Sequence, residues 1–287
     1  CANRGGSVSS ILDTNALPAP AVVELLDFEA IVAEIKADLL ERYPEAATVL
    51  DLESEPLVKL LESFAFRELL FRARVNDAAR AHLLAFATGA DLDHLGALFG
   101  ISRMAGENDD RLRLRIQLRI AALAGQGTRE HYELVAMTAS ANVRAAYAIQ
   151  PRPGYVHVVL WLQAESAQTP VDVAAALNAD NARMLGVEVT VGTATPHPVN
   201  IQARIWRTAN ASPDLLAKLQ QRLATAFAER AALGRSVARS WITTLLHADG
   251  VAAVDFVGND APPATTTLFN DQFPTLGTVQ LIDAGVM

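Results

Sequence analysis

The stretch Asn108-Asp-Asp-Arg-Leu-Arg-Leu-Arg-Ile-Gln-Leu-Arg-Ile120 reads in two ways, and the choice decides the fold of the first half of the chain. Alternation of Leu and Ile with Arg and Gln is the pattern of a half-buried strand. Leu112, Ile116, Ile120 and Leu123 also line one face of a helix, however. Asn108-Asp-Asp110 supplies a cap and negative charge where a helix dipole is positive. The helical reading is adopted.

Upstream the same period recurs. Phe28, Ile31, Val32, Ile35 and Leu39 fall on one helical face, Asp38 and Arg42 pair at i,i+4, and Pro44 stops the run. A longer helix starts near Pro56 and is expected to reach about Phe86, roughly 45 Å at 1.5 Å per residue. Its residues Leu57, Leu60, Leu61, Phe64, Phe71 and Val75 form one apolar face, and Phe66, Leu69 and Leu70 a second. A helix apolar on two faces has two neighbours, or one neighbour and a partner chain. Glu55–Lys59 and Glu68–Arg72 are spaced for i,i+4 pairs. A short helix fits Asp91 to Phe99, with Asp91 near its N-cap and Gly100 ending it.

Downstream of Gly125 and Gly127 the pattern changes to alternating helix and strand. A helix over 128–139 precedes strands 142–149 and 155–162, joined by the turn chemistry of Pro151-Arg-Pro-Gly154. A helix over 170–181 and a strand over 187–191 follow, and Thr195-Pro-His-Pro198 reads as a hinge. Beyond it come strand 199–207, helices 213–231 and 236–247, strand 251–257, a polar stretch 259–267 and a last strand 278–282. The fold class is therefore α+β, a helical N-terminal region followed by two small α/β modules. The expected divisions are an extended arm over 1–20, a helical domain over 21–125, and modules over 126–195 and 196–287 with a C-terminal tail.

Composition narrows the function. Of 287 residues, 51% are apolar and 52 are alanine, which suits a packed, helix-rich chain. The net charge of −8 is the wrong sign for neutralising phosphates, so no nucleic-acid partner is expected. No apolar run reaches the ~18 residues of a membrane helix, so no membrane partner is expected. A single cysteine, Cys1, leaves no disulfide framework and no cysteine-rich metal site. At the first position it fits either a trimmed start or the lipidated cysteine of a lipoprotein.

The sequence carries no persuasive catalytic constellation. The histidines 82, 94, 131, 157, 197 and 247 show no zinc spacing. Gly125-Gln-Gly127 lacks the third glycine of a dinucleotide loop. Ser236 reads as a helix cap, and Asp109 and Asp110 as helix-start charges. Arg111, Arg113, Arg115 and Arg119 fan around a helix and read as a solvated or subunit-facing surface. No catalytic residue, cofactor or metal is expected, and the chain is not expected to be an enzyme.

Several stretches together carry a family pattern. Leu17-Pro-Ala-Pro20, Glu24-Leu-Leu-Asp-Phe-Glu29, Leu40-Glu-Arg-Tyr-Pro-Glu45 and Leu52-Glu-Ser-Glu-Pro-Leu-Val-Lys-Leu-Leu-Glu62 open it. Arg67-Glu-Leu-Leu70, Arg74-Val-Asn-Asp-Ala-Ala-Arg80 and Gly89-Ala-Asp-Leu-Asp-His-Leu-Gly-Ala97 continue it. Leu233-Gly-Arg235 and Leu245-Leu-His-Ala-Asp-Gly-Val251 close it. The chain resembles the J-type baseplate assembly proteins of contractile-tailed phages and related injection systems or bacteriocins.

The resemblance implies a structural wedge component at the tail baseplate, assembled in the bacterial host cytoplasm. Such a component joins copies into a ring around the hub, contacts sheath-initiator-like and fibre-connecting subunits, and rearranges on sheath contraction. It implies no catalytic residues. The residues expected at partner interfaces are Leu17, Pro18, Pro20, Glu53, Glu55, Phe64, Phe66, Leu70, Phe71 and Arg72, with pivots at 125–127 and 195–198. A tail-associated hydrolase and a lipid-anchored envelope protein are the rival classes.

Overall fold

The computed structural model describes residues 20–52, 54–123, 125–180 and 182–287. The arm residues Leu17 and Pro18, together with Cys1 and Glu53, lie outside them. The chain forms two compact units, one running through Arg103 and taking in Glu107–Ile116, the other comprising Met104–Gly106 and Gln117–Met287.

The first unit is helical. Asp27 caps α1 (Phe28–Arg42) by accepting the Glu29 and Ala30 N–H groups, which supplies acceptors for donors a helix start leaves free. A 3-10 turn at Pro44–Ala46 leads into α2 (Ala47–Leu50). Pro56 opens α3 (Pro56–Ala81), where its missing N–H costs nothing. Val58, Leu61 and Ala65 of α3 are buried against α1 and α2, packing on Ile31, Val32, Ala46 and Leu50. α4 spans Gly89–Leu98 and starts from Thr88, one turn earlier than Asp91 would place it.

α3 stops at Ala81, short of the expected Phe86. Past Ala81 the backbone goes over into turns. The carbonyls of Leu84 and Ala87, each at 2.8 Å, accept the Arg113 guanidinium. Lys59 also departs from expectation, pairing with Glu62 at 2.9 Å.

The ambiguous stretch is helix α5 (Asp109–Ala122), capped by the Asn108 side chain, which accepts the Arg111 N–H at 2.9 Å. Leu112 and Ile116 are fully buried. A Cβ on Gly96 of α4 would stand 2.9 Å from the Ile101 carbonyl oxygen and 3.2 Å from the Ile116 side chain, so the approach needs glycine there. The arginines correct the sequence reading. Arg111 and Arg115 are buried, both salt-bridged to the buried Glu107, and Arg115 also donates to the Ser102 carbonyl at 3.1 Å. Of the four arginines only Arg119 is exposed.

The second unit carries the sheets. α6 (Arg129–Ala139), capped by Thr128, leads into β1 (Val143–Arg152) and β2 (Tyr155–Leu162). These form an antiparallel hairpin closed by Arg152 opposite Tyr155, with Gly154 at φ 74°. α7 (Gln168–Leu177) crosses back so that β3 (Glu188–Thr193) pairs parallel to β2. After Ala194 the chain enters β4 (Thr195–Arg207), followed by α8 (Leu215–Arg230), β5 (Val237–Ala238), α9 (Arg239–Leu246), β6 (Val251–Phe256), β7 (Thr265–Thr266) and β8 (Gln272–Val286). The second sheet has the order β6-β4-β8. Its inner face packs Ile201, Ala203 and Ile205 against Leu219, Leu223 and Ile242. Ser236 is not a helix cap; α9 begins at Arg239, after the short strand β5.

Thr195-Pro-His-Pro198 is not a hinge but the start of β4, paired in register with Gln272–Thr275. The two prolines are tolerated because β6 reaches only Ala203–Arg207, leaving that end of β4 an edge. The sheets are also tied through side chains. Trp161 of β2 stacks on Phe273 of β8 at 4.8 Å, Arg144 of β1 lies over the Trp161 ring at 4.0 Å, and Arg144 donates to the Ala228 carbonyl of α8 at 3.3 Å.

Candidate assembly surface

α3 has one face committed to its unit and two that are not. Setting 100° per residue, Val58, Leu61, Ala65 and Leu69 share the inward side. Leu60, Phe64, Phe71 and Val75 then fall within an arc of roughly 60° on the outside. Their exposures are 52%, 58%, 69% and 44%. Phe66 (53%) and Leu70 (51%), one turn apart, form a second outward pair. Six half-exposed apolar side chains on one helix are more apolar surface than a helix facing only water normally carries. Covering the remaining half of each stabilises by about 1 kcal/mol per residue.

Arg72 is placed differently. Its guanidinium binds Glu68 at 2.6 Å, Glu34 at 3.4 Å and Glu24 at 3.8 Å, tying α3 to α1 and to the segment before it. The Glu68 hydrogen bond and these carboxylates hold it still more firmly protonated than an ordinary arginine. Glu55 is half-buried at the start of α3, and its carbonyl accepts the Lys59 N–H. Pro20 is half-buried, with its carbonyl accepting the Val23 N–H at 3.0 Å. The structure thus gathers Phe64, Phe66, Leu70 and Phe71 on exposed faces of α3 and gives Arg72 a role within the unit.

Two residues were missed by sequence reasoning. Asn76 is buried and grips the backbone of Glu24, and Glu107 holds two arginines under the surface. The signal for Asn76 was a polar residue on the inward stripe of an amphipathic helix. Arg103 adds a third strut, joining Asp93 and Asp109, each at 2.7 Å. Asp109 also accepts the Gly89 N–H, which with Arg103 holds its carboxyl below the usual range.

Among the described residues no group of three or more His, Cys, Asp or Glu is placed to hold a metal, and no helix is long and apolar enough to cross a membrane. A family model described as the baseplate J-like N-terminal domain matches residues 53–110, the span from the start of α3 to the start of α5. Baseplate protein J of Escherichia phage P2 is 36% identical, the alignment covering 91% of this chain and 94% of the phage protein.

Proposed function

The chain belongs to the baseplate J-like family, and from that membership we propose that it is a structural component of a contractile-tail baseplate. In this reading it acts by surface fit and carries out no reaction of its own. It is a wedge subunit of the virion tail, or of a phage-tail-like bacteriocin or injection particle, assembled in the host cytoplasm. It joins wedges into a ring around the hub and rearranges when the sheath contracts.

The helical domain packs on other wedge proteins, the sheath-initiator-like and fibre-connecting subunits. The Leu17–Pro20 arm, Glu53 and Glu55 flank that contact. The α/β modules carry contacts between copies. The observation that carries the reading is the near full-length identity to a protein named for the baseplate. The six uncovered apolar residues of α3 support it from physics.

The test is a null allele of this gene in the phage or tail-producing host. Expected are particles without baseplates, with assembly restored by the gene in trans, and the chain present in purified baseplates by mass spectrometry. Normal tails from the null strain would overturn the reading.

A further inference from the structure

The sheet β6-β4-β8 ends on β8, a strand of 15 residues. β4 covers one side of it. On the other, the Gln272 carbonyl is taken by the Gly234 N–H at 2.8 Å, and from Thr275 to Ile282 the described residues supply no backbone partner. That run reads Thr-Leu-Gly-Thr-Val-Gln-Leu-Ile, without a charge or a proline. Proteins normally blunt such an edge with Lys, Pro or a covering element. Pro274 is buried ahead of the run, and the Asp283 carboxylate is turned inward to Arg207 of β4 at 2.7 Å. From Val279 to Asp283 the register with β4 is unbroken, so the edge is straight there.

We propose that this edge of β8 pairs antiparallel with β8 of a second copy, centred on Gln280. A two-fold contact must be complementary to itself. This register sets Gln280 opposite Gln280 and Val279 opposite Leu281, and brings Thr278, at the irregularity where its N–H is held by the Asn200 side chain, opposite Ile282. Val279 and Leu281 pack on the inner core of the sheet, so the apolar layer continues across the junction. Asp283 meets Gly277, and no two carboxylates meet along the run. A chain of net charge −8 repels its own copies over most of its surface, and this uncharged run is a place where that repulsion is least.

A pairing of five residues is weak alone. It operates where copies are held side by side, and it rests on the ring reading for that setting.

The experiment uses the full chain with C1S and Q280C, oxidised both as concentrated purified protein and in assembled particles. Opposed strand positions lie about 4.5–5.5 Å apart at Cα, within disulfide reach. Expected is a disulfide-linked dimer at least tenfold above that of R204C, an exposed position one strand further in. Q280K, which opposes two ammonium groups across the axis, is expected to retain its thermal unfolding curve and lose association. Particles that contain the chain while Q280C stays monomeric would overturn the edge pairing and leave the baseplate reading standing. If no particle contains the chain, the baseplate reading fails, and cross-linking of the concentrated protein decides the edge by itself.

Discussion

Asn76 holds Glu24 as one strand holds another: its side-chain nitrogen donates to the Glu24 carbonyl at 2.9 Å, and its oxygen accepts the Glu24 N–H at 3.0 Å. A buried amide thereby fixes the segment ahead of α1 onto α3. Asn76→Ala removes both bonds and leaves a partly buried peptide without its partner. The expected cost is about 2 kcal/mol, read as a lowered urea midpoint. Proteolysis within residues 20–27 should quicken in step.

Glu107 is salt-bridged to two buried guanidinium groups, those of Arg111 and Arg115. Burial already disfavours the charged form of Arg111. Glu107→Ala removes an ion-pair partner from each of the two buried arginines, and a loss of about 3–5 kcal/mol is expected. Replacing Glu107, Arg111 and Arg115 together with Leu and Met should cost much less. Chemical denaturation of the three proteins in parallel checks the order.

Glu133 of α6 is buried, and burial raises its carboxyl to about 7, although the Ala148 N–H donates to it. In the unfolded chain the group titrates near 4.5. Below that pH both states are protonated and stability is unaffected. As pH rises toward about 7 the unfolded chain loses its proton first, and stability falls by up to roughly 3 kcal/mol. Above about 7 the loss is complete. Glu133→Gln should flatten the melting temperature between pH 5 and 7 and exceed the parent at pH 8.

Phe64 and Phe71 are more than half exposed. Phe64→Glu and Phe71→Glu should shift stability by less than about 0.5 kcal/mol. In the proposed role each places a charge in a buried contact, and assembled tails should fall about tenfold or more per substitution. Circular dichroism and counts of intact particles separate the two effects.

Much of this was legible beforehand where local signals agreed. α5 is legible as a helix because an asparagine cap and a helical period outweigh a strand alternation. Pro56 marks the start of α3, and the spacing of Phe64 and Phe71 places both on one apolar face of it. The buried arginines were not legible, because a charged residue signals solvent unless its partner is known, and Glu107 precedes the helix. The ties of Arg72 to Glu34 and Glu24 are not legible, because both partners are distant in sequence. Two prolines at 196 and 198 suggested a pivot. Only the pairing with β8 reveals them as the bare end of a strand.

Trp161 on Phe273, with Arg144 across the ring, has a mechanical consequence. A single residue, Ala194, separates the two sheets along the chain, and the aromatic stack clamps them from the side. Chain and stack thereby join the two sheets at two separate places, so one sheet cannot swing away from the other without parting the aromatic pair.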